Sequence, residues 1–234
     1  MMTGALSLIK DADRFNNWLF SRFSQHVDKR SVWEIGSGIG TISSLLLESR
    51  YLCLSDYEKP YLEHLGKIFA AQGNVVIKHV DLENLDVTQF QPLRFSTIIC
   101  INVLEHIKNH EEALRNISRV MNAETKLVLL VPAHPFLYGS MDEEAGHQRR
   151  YTRAMLEKML LDCGHVILDS QYFNRFSALA WFIKGRILKQ RNIQAHDVRI
   201  INHLVPLLRL ERLLPLPFGQ SLITVSRLQS GSCS

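Results

Sequence analysis

Two hydrophobic periods alternate along this chain. Short runs at Val32–Ile35, Tyr51–Ser55, Val75–His79, Phe95–Ile101 and Lys126–Val131 read as strands, and the continuous apolar run Phe95–Ile101 is consistent with a central one buried on both faces. Between them, apolar residues recur every three to four positions. Tyr61, Leu62, Leu65, Ile68 and Phe69 line one face of a helix over Glu58–Gln72, a second helix covers Glu111–Met121, and Ile42–Glu48 predicts one directly after the first strand. Strands alternating with helices at these lengths predict an α/β domain with a parallel, right-handed, doubly wound sheet. An amphipathic helix precedes it over Ala12–Val27, with Phe15, Trp18, Leu19, Phe23 and Val27 on one face. It either covers one end of the sheet or walls the ligand site. Beyond Pro132 the periodicity stops until Tyr151. Thr152 then caps a helix to Asp162, Gly164 ends it, and His165–Tyr172 is a sixth strand. Two apolar and basic helical patterns follow, Asn174–Gln190 and His196–Leu214, the second interrupted by Pro206. A last strand spans Gln220–Leu228. The helical pair reads as an insertion into a single domain that takes in the whole chain.

Composition narrows the picture only a little. The 234 residues, 46% hydrophobic and 21% charged, suit one globular domain. A net charge of +4 favours an anionic small molecule but is too diffuse for a nucleic-acid footprint. Cys53, Cys100, Cys163 and Cys233 form no C-x-x-C pair, so free thiols in a reducing compartment are expected. With no signal-peptide pattern through Ile9 and no apolar stretch of spanning length, the expected location is cytoplasmic.

The chemistry concentrates after the first strand, in Glu34-Ile-Gly-Ser-Gly-Ile-Gly40. Strand, glycine turn and helix bring backbone N–H groups to a ligand at the carboxyl edge of a parallel sheet. A dinucleotide fingerprint needs Gly or Ala at position 41, where this chain has Thr41, and no nucleoside-triphosphate loop is present. Glu34 suits a ligand with a cationic amino group. Asp56, about 20 residues on, is placed for two ribose hydroxyls. Asp81 is placed for an exocyclic amine, with Leu82 against the ring, or else it caps a turn.

Together with Asn102-Val-Leu-Glu-His-Ile107, this ordered set resembles the successive motifs of class I S-adenosylmethionine-dependent methyltransferases. The resemblance implies a Rossmann-like seven-stranded sheet, mostly parallel with an antiparallel last strand. It also implies S-adenosyl-L-methionine as cofactor and S-adenosyl-L-homocysteine (SAH) as product. The carry-over places Glu34, Gly36, Ser37, Gly38 and Gly40 beneath the methionine part, Asp56 and Tyr57 at the ribose, Asp81 and Leu82 at the adenine, and Asn102 at the sulfonium side. Glu105-His106 either belongs to the site or only anchors the next helix.

The loop Pro132–Tyr151, PAHPFLYGSMDEEAGHQRRY, is long enough to be functional. It is similar to that of a bacterial subgroup of these enzymes often found beside glycosyltransferase, envelope or secondary-metabolite genes. His147 is its best proton acceptor at neutral pH and the expected catalytic residue. Arg149 and Arg150 are expected to pair an anionic group on the substrate, Tyr138 and Tyr151 to wall a pocket, and Asp142 to orient His147 or an arginine. The alternative is a loop whose arginines pair internally with its own acids. No metal ligand is expected, since His134 and His147 share a loop without metal-ligand spacing. The expected partner is a small molecule, anionic or lipid-like, with methylation of RNA or protein and non-catalytic nucleoside binding as alternatives. The apolar face of Asn174–Leu214, with Trp181, Ile187, Leu204 and Leu207 among interleaved arginines and lysines, is expected to be core or a dimer contact. Peripheral contact with an anionic membrane is its second reading.

Overall fold

The computed structural model describes residues 12–190, 195–213 and 217–229. The start of the chain through Ile9, Arg191, Leu214 and Cys233 lie outside them. Seven strands form one sheet in the order β3-β2-β1-β4-β5-β7-β6. They are β1 (Val32–Ile35), β2 (Leu52–Asp56), β3 (Val75–His79), β4 (Thr97–Ile101), β5 (Lys126–Pro132), β6 (His165–Phe173) and β7 (Ser221–Leu228). The first five run parallel, and β7 lies antiparallel between β5 and β6. The sheet is the Rossmann-like, doubly wound one expected, including its antiparallel last strand.

Side chains alternate along each central strand, and both faces are covered. Trp33, Ile98, Cys100, Leu127 and Leu129 enter one core. Val32, Leu52, Leu54, Ile99, Val128 and Leu130 enter the other. Helix α1 (Asp13–Ser21) packs Trp18 and Leu19 onto the second face, where Trp18 meets Phe173 at 4.4 Å between ring centroids. The backbone N–H of Phe15 donates to Asn202 of α7 (Ala195–Leu208), so this helix covers the β6–β7 end of the sheet. Helices α2 (Lys59–Ile68) and α3 (His110–Val120) connect the parallel strands. Between Pro132 and Tyr151 lies one short helix, α4 (Ser140–Glu144), and α5 (Arg153–Asp162) follows, with the Thr152 hydroxyl accepting from the Met155 N–H. Helix α6 (Arg175–Trp181) runs on as a π-helical turn over Phe182–Ile187.

One predicted element is absent. After β1 there is no α-helix over Ile42–Glu48, only a 3₁₀ turn at Ser43–Leu45. The serines there use their hydroxyls elsewhere: Ser44 donates back to the Gly40 carbonyl and Ser43 to the Glu34 carboxylate. Such local bonds compete with helix propagation. Among the described residues, then, no α-helix begins directly after the glycine turn.

The apolar face of the helical insertion divides. Val205 and Leu208 are buried beneath α7, whereas Phe176, Leu179, Ile187, Leu204 and Leu207 stand exposed. The expected core role holds for Val205 and Leu208, and Trp181 is half-buried against Arg150 and Asp142.

Candidate active site

The glycine turn lies between β1 and the carboxyl ends of its neighbours β2 and β4, where the direction of strand addition reverses. That reversal is where open α/β sheets bind ligands. Its N–H groups at Gly36 and Ser37 donate to the Ser55 carbonyl at 2.8 and 2.9 Å. Gly36, Gly38 and Gly40 all have positive φ, and their surroundings differ. A Cβ at Gly36 would lie 2.2 Å from Val103, and one at Gly40 would crowd Phe69, Ile68 and Leu65. At Gly38 it would meet nothing within 4 Å. The turn is thus packed at both ends and open in the middle.

Two acids brace this opening. Asp56 accepts from the Gly38 N–H at 2.8 Å and the Glu58 N–H at 2.9 Å, tying the turn to the end of β2. Burial raises its pKa, partly offset by those amides. Glu34 lies beneath the turn, 5% exposed, and its carboxylate accepts from Ser43. Burial pushes it up to about 7, the Ser43 and Ser37 hydroxyls pulling it back and Asp56 adding to the rise. Ser37 is buried, and its hydroxyl bridges the Glu34 carbonyl and the Ser55 N–H.

The other expected cofactor residues stand around the same edge. Tyr57 is exposed, with its ring near His79. Asn102 is exposed just past β4 with φ 52°, a left-handed conformation. Asp81 accepts from the Glu83 N–H and the Asn84 side chain, so in this structure it caps its own turn. Leu82 is buried in the first core.

The Pro132–Tyr151 loop folds over the segment after β4. Asp142, fully buried, is its hub: it accepts from His147 Nδ1 and Arg150 Nε at 2.8 Å each and from Trp181 Nε1 at 3.1 Å. Burial raises its pKa, but these donors and the Arg150 charge outweigh that and leave it lowered. Arg150 also donates to the Ala133 carbonyl and packs its guanidinium over the Trp181 ring. Arg149 donates to the carbonyls of Ile107 and Lys108, and the Gln148 N–H to that of Glu105. Tyr138 donates to the His147 carbonyl, and buried Tyr151 contacts His110. Four side chains expected to face a substrate, Arg149, Arg150, Tyr138 and Tyr151, instead hold the loop to itself and to residues 105–110. The internally bonded alternative describes Arg150, which pairs with Asp142, whereas Arg149 bonds carbonyls outside the loop.

His147 faces the segment after β4. With Nδ1 on Asp142, its Nε2 is free of that bond, and its ring lies 4.9 Å from that of His106. Glu105 joins them: ligand-capable atoms of Glu105, His106 and His147 lie within 4.8 Å of one another. Glu105 is fully buried, and neither carboxylate oxygen accepts a hydrogen bond from another residue among those described. Burial pushes it up to about 8, its own amide and the Arg150 charge opposing and Asp142 adding. No spacing rule in the sequence links a vicinal Glu-His to a histidine in a later loop; only the fold does.

Residues 33–127 match a family described as a methyltransferase domain. No curated protein matches the sequence. Among solved structures, the chain is similar to an S-adenosylmethionine-dependent methyltransferase from Clostridium acetobutylicum ATCC 824. The two share 11% identity, with 93% of this chain and 92% of that one covered at a TM-score of 0.60. The magnesium protoporphyrin IX methyltransferase ChlM of Synechocystis PCC 6803, solved with SAH bound, is 13% identical over 98% of this chain and 89% of its own, with a TM-score of 0.59. The [4+2]-cyclase SpnF is 15% identical over 94% and 81%, with a TM-score of 0.60. At these identities the likeness is one of fold, and a cyclase among the neighbours shows that the fold leaves the reaction open.

Proposed function

With a methyltransferase domain over residues 33–127 and S-adenosyl-L-methionine as the donor, we propose that this enzyme methylates a small anionic or lipid-like molecule held beneath the Pro132–Tyr151 loop. The observation that carries this reading is a convergence at one sheet edge. The acid-braced glycine turn after β1, whose Gly36 abuts Val103, and the Asp142–His147 pair, tied down by the Gln148 N–H on the Glu105 carbonyl, both meet the segment that follows β4.

The donor fits the residues present. The open space over Gly38 accommodates its methionine part, Glu34 provides a negative group for its amine, and Asp56 keeps acceptor capacity beyond its two amide bonds for the ribose hydroxyls. Tyr57 and Asn102 stand at the ends of β2 and β4, and Asp81 would have to leave its turn cap to take the adenine amine above buried Leu82. When bound, the donor supplies an already activated methyl group. The chain then has to hold the nucleophile in line, exclude water and take a proton where the acceptor carries one. His147 is assigned that proton because Asp142 holds its ring through Nδ1 and leaves Nε2 free of that bond. Arg149 and Arg150 act on the substrate through the loop they hold, while Tyr138 borders its entrance.

The lipid-like option rests on the insertion. Phe176, Leu179, Ile187 and Leu204 are exposed on α6, the π-helical turn and α7, beside exposed Arg186, Lys189, Arg199 and Arg209. That mixture suits docking at an anionic interface. No helix among the described residues is long and apolar enough to cross a membrane.

Titration calorimetry tests the donor site: Asp56→Ala is expected to weaken S-adenosylmethionine binding at least tenfold, and unchanged affinity would refute the placement. Incubating the protein with cell extract and methyl-labelled donor, followed by mass spectrometry, identifies the acceptor. Label appearing only on RNA or protein would overturn the small-molecule reading.

A further inference from the structure

We infer that Glu105, His106 and His147 hold a divalent first-row transition-metal ion at the acceptor side of the site. A carboxylate and two imidazoles, one donor atom from each, lie within 4.8 Å of one another. This is the two-histidine, one-carboxylate donor set that such ions favour. Metal–nitrogen bonds of about 2.0–2.1 Å place donors roughly 3.3 Å apart, so the ligands need to draw in by at most about 1.5 Å. His106 is exposed and has room to make that adjustment.

Two further observations point to a ligand here. Glu105 is fully buried, yet neither of its carboxylate oxygens accepts a hydrogen bond from another described residue. Orphaned acceptors of this kind are rare and call for a partner the protein chain does not supply. His147 in turn is already arranged as a metal-bound histidine would be. Its Nδ1 is held by a buried carboxylate, Asp142, at 2.8 Å, and that carboxylate is itself held by Arg150 and Trp181. Carboxylate–histidine–metal relays of this form fix the tautomer and direct Nε2 at the ion.

Three protein ligands leave at least one coordination position open, enough for an oxygen of the acceptor. This last step rests on the methyl-transfer reading and narrows it to a hydroxyl- or carboxylate-bearing acceptor. With the ion in place, His147 Nε2 is a ligand, and the acceptor loses its proton to solvent from the ion-bound oxygen. Without the ion, that nitrogen takes the proton itself.

The test uses the full chain stripped with a chelator, titrated with Co²⁺ by visible absorption and with Zn²⁺ by calorimetry. One site per chain is expected, with Mg²⁺ binding far more weakly because the donor set is nitrogen-rich. His106→Ala and His147→Ala are each expected to weaken binding at least tenfold, and His203→Ala, at an exposed position on α7, to leave it unchanged. Circular dichroism establishes folding of every variant, and exposed His106 decides the question should a buried one unfold. Absence of binding, or binding that survives both substitutions, overturns the site. S-adenosylmethionine titrated on the same samples separates the two readings: metal without donor binding sinks the proposed function alone, and donor without metal binding sinks this inference alone.

Discussion

Glu34→Gln separates what a buried acid does to the fold from what it does for the donor. The carboxyl is 5% exposed and raised by burial from 4.5 to about 7. A raised acid is favoured protonated in the folded state. Between pH 4.5 and about 7 the native protein therefore binds more protons than the unfolded chain, and stability falls as pH rises through that window. The difference of about 2.5 units, 7 minus 4.5, corresponds to about 3 kcal/mol at pH 8. Glutamine carries no charge to desolvate and keeps an oxygen for the Ser43 hydroxyl. In urea denaturation the variant is expected to gain on wild type from under ~1 kcal/mol near pH 5 to about 3 kcal/mol at pH 8.

Donor affinity moves the other way. An amine binds the ionised carboxylate, whose fraction rises from roughly one-tenth at pH 6 to roughly nine-tenths at pH 8 for a pKa of about 7. Calorimetry on wild type should show affinity for S-adenosylmethionine rising about tenfold across that interval. In Glu34→Gln the rise disappears, and affinity at pH 8 falls by ~1.5–3 kcal/mol, the worth of a charge-assisted hydrogen bond. A variant less stable than wild type at pH 8, or one that keeps the wild-type pH slope of affinity, would refute the argument.

The two glycines are expected to fail differently. Gly36→Ala drives a methyl into Val103 at φ +71° and should lose at least ~2 kcal/mol of stability by denaturant titration. Gly38→Ala meets open space at φ +51°, and should lose only ~1–2 kcal/mol while donor affinity drops tenfold or more. Arg150→Ala leaves the buried Asp142 carboxylate without its cation, and a loss of ~3–5 kcal/mol is expected in the same assay. His147→Ala should lower turnover of the identified acceptor far more than it lowers donor affinity; equal losses would make the residue structural. Flotation with anionic vesicles should retain the protein in a salt-sensitive manner if the exposed face of α6 and α7 docks on lipid. Absence of binding at low salt would remove that contact.

The sheet was legible because burial on both faces of a parallel strand leaves no choice of residue: Ile98, Ile99 and Cys100 are apolar whichever core they enter. The glycine turn and Asp56 were legible for a related reason, since positive φ and a tied strand end restrict which residues can stand there. The failed helix after β1 shows the limit of that logic. Its apolar spacing was helical, but Ser43 and Ser44 had nearby oxygens to bond, and no periodicity records where a hydroxyl points.

The Pro132–Tyr151 loop shows the same limit from the other side. Its arginines and tyrosines have the chemistry of a binding site and the burial of a core, and only the second is a property of position. Arg150, 2% exposed, could not be told from a substrate-facing arginine until Asp142, Ala133 and Trp181 were found around it. That inward network sets the position of His147. By holding Asp142 ionised and immobile, Arg150 and Trp181 fix the ring of His147, and by clamping residues 105–108, Arg149 and Gln148 bring that ring to Glu105 and His106. A loop built to contact substrate with every polar residue would have none left to fix the His147 ring. Side chains with the chemistry of ligands are here bonded within the loop and to residues 105–110, and Glu105-His106, open in the sequence between site and helix anchor, lies against His147.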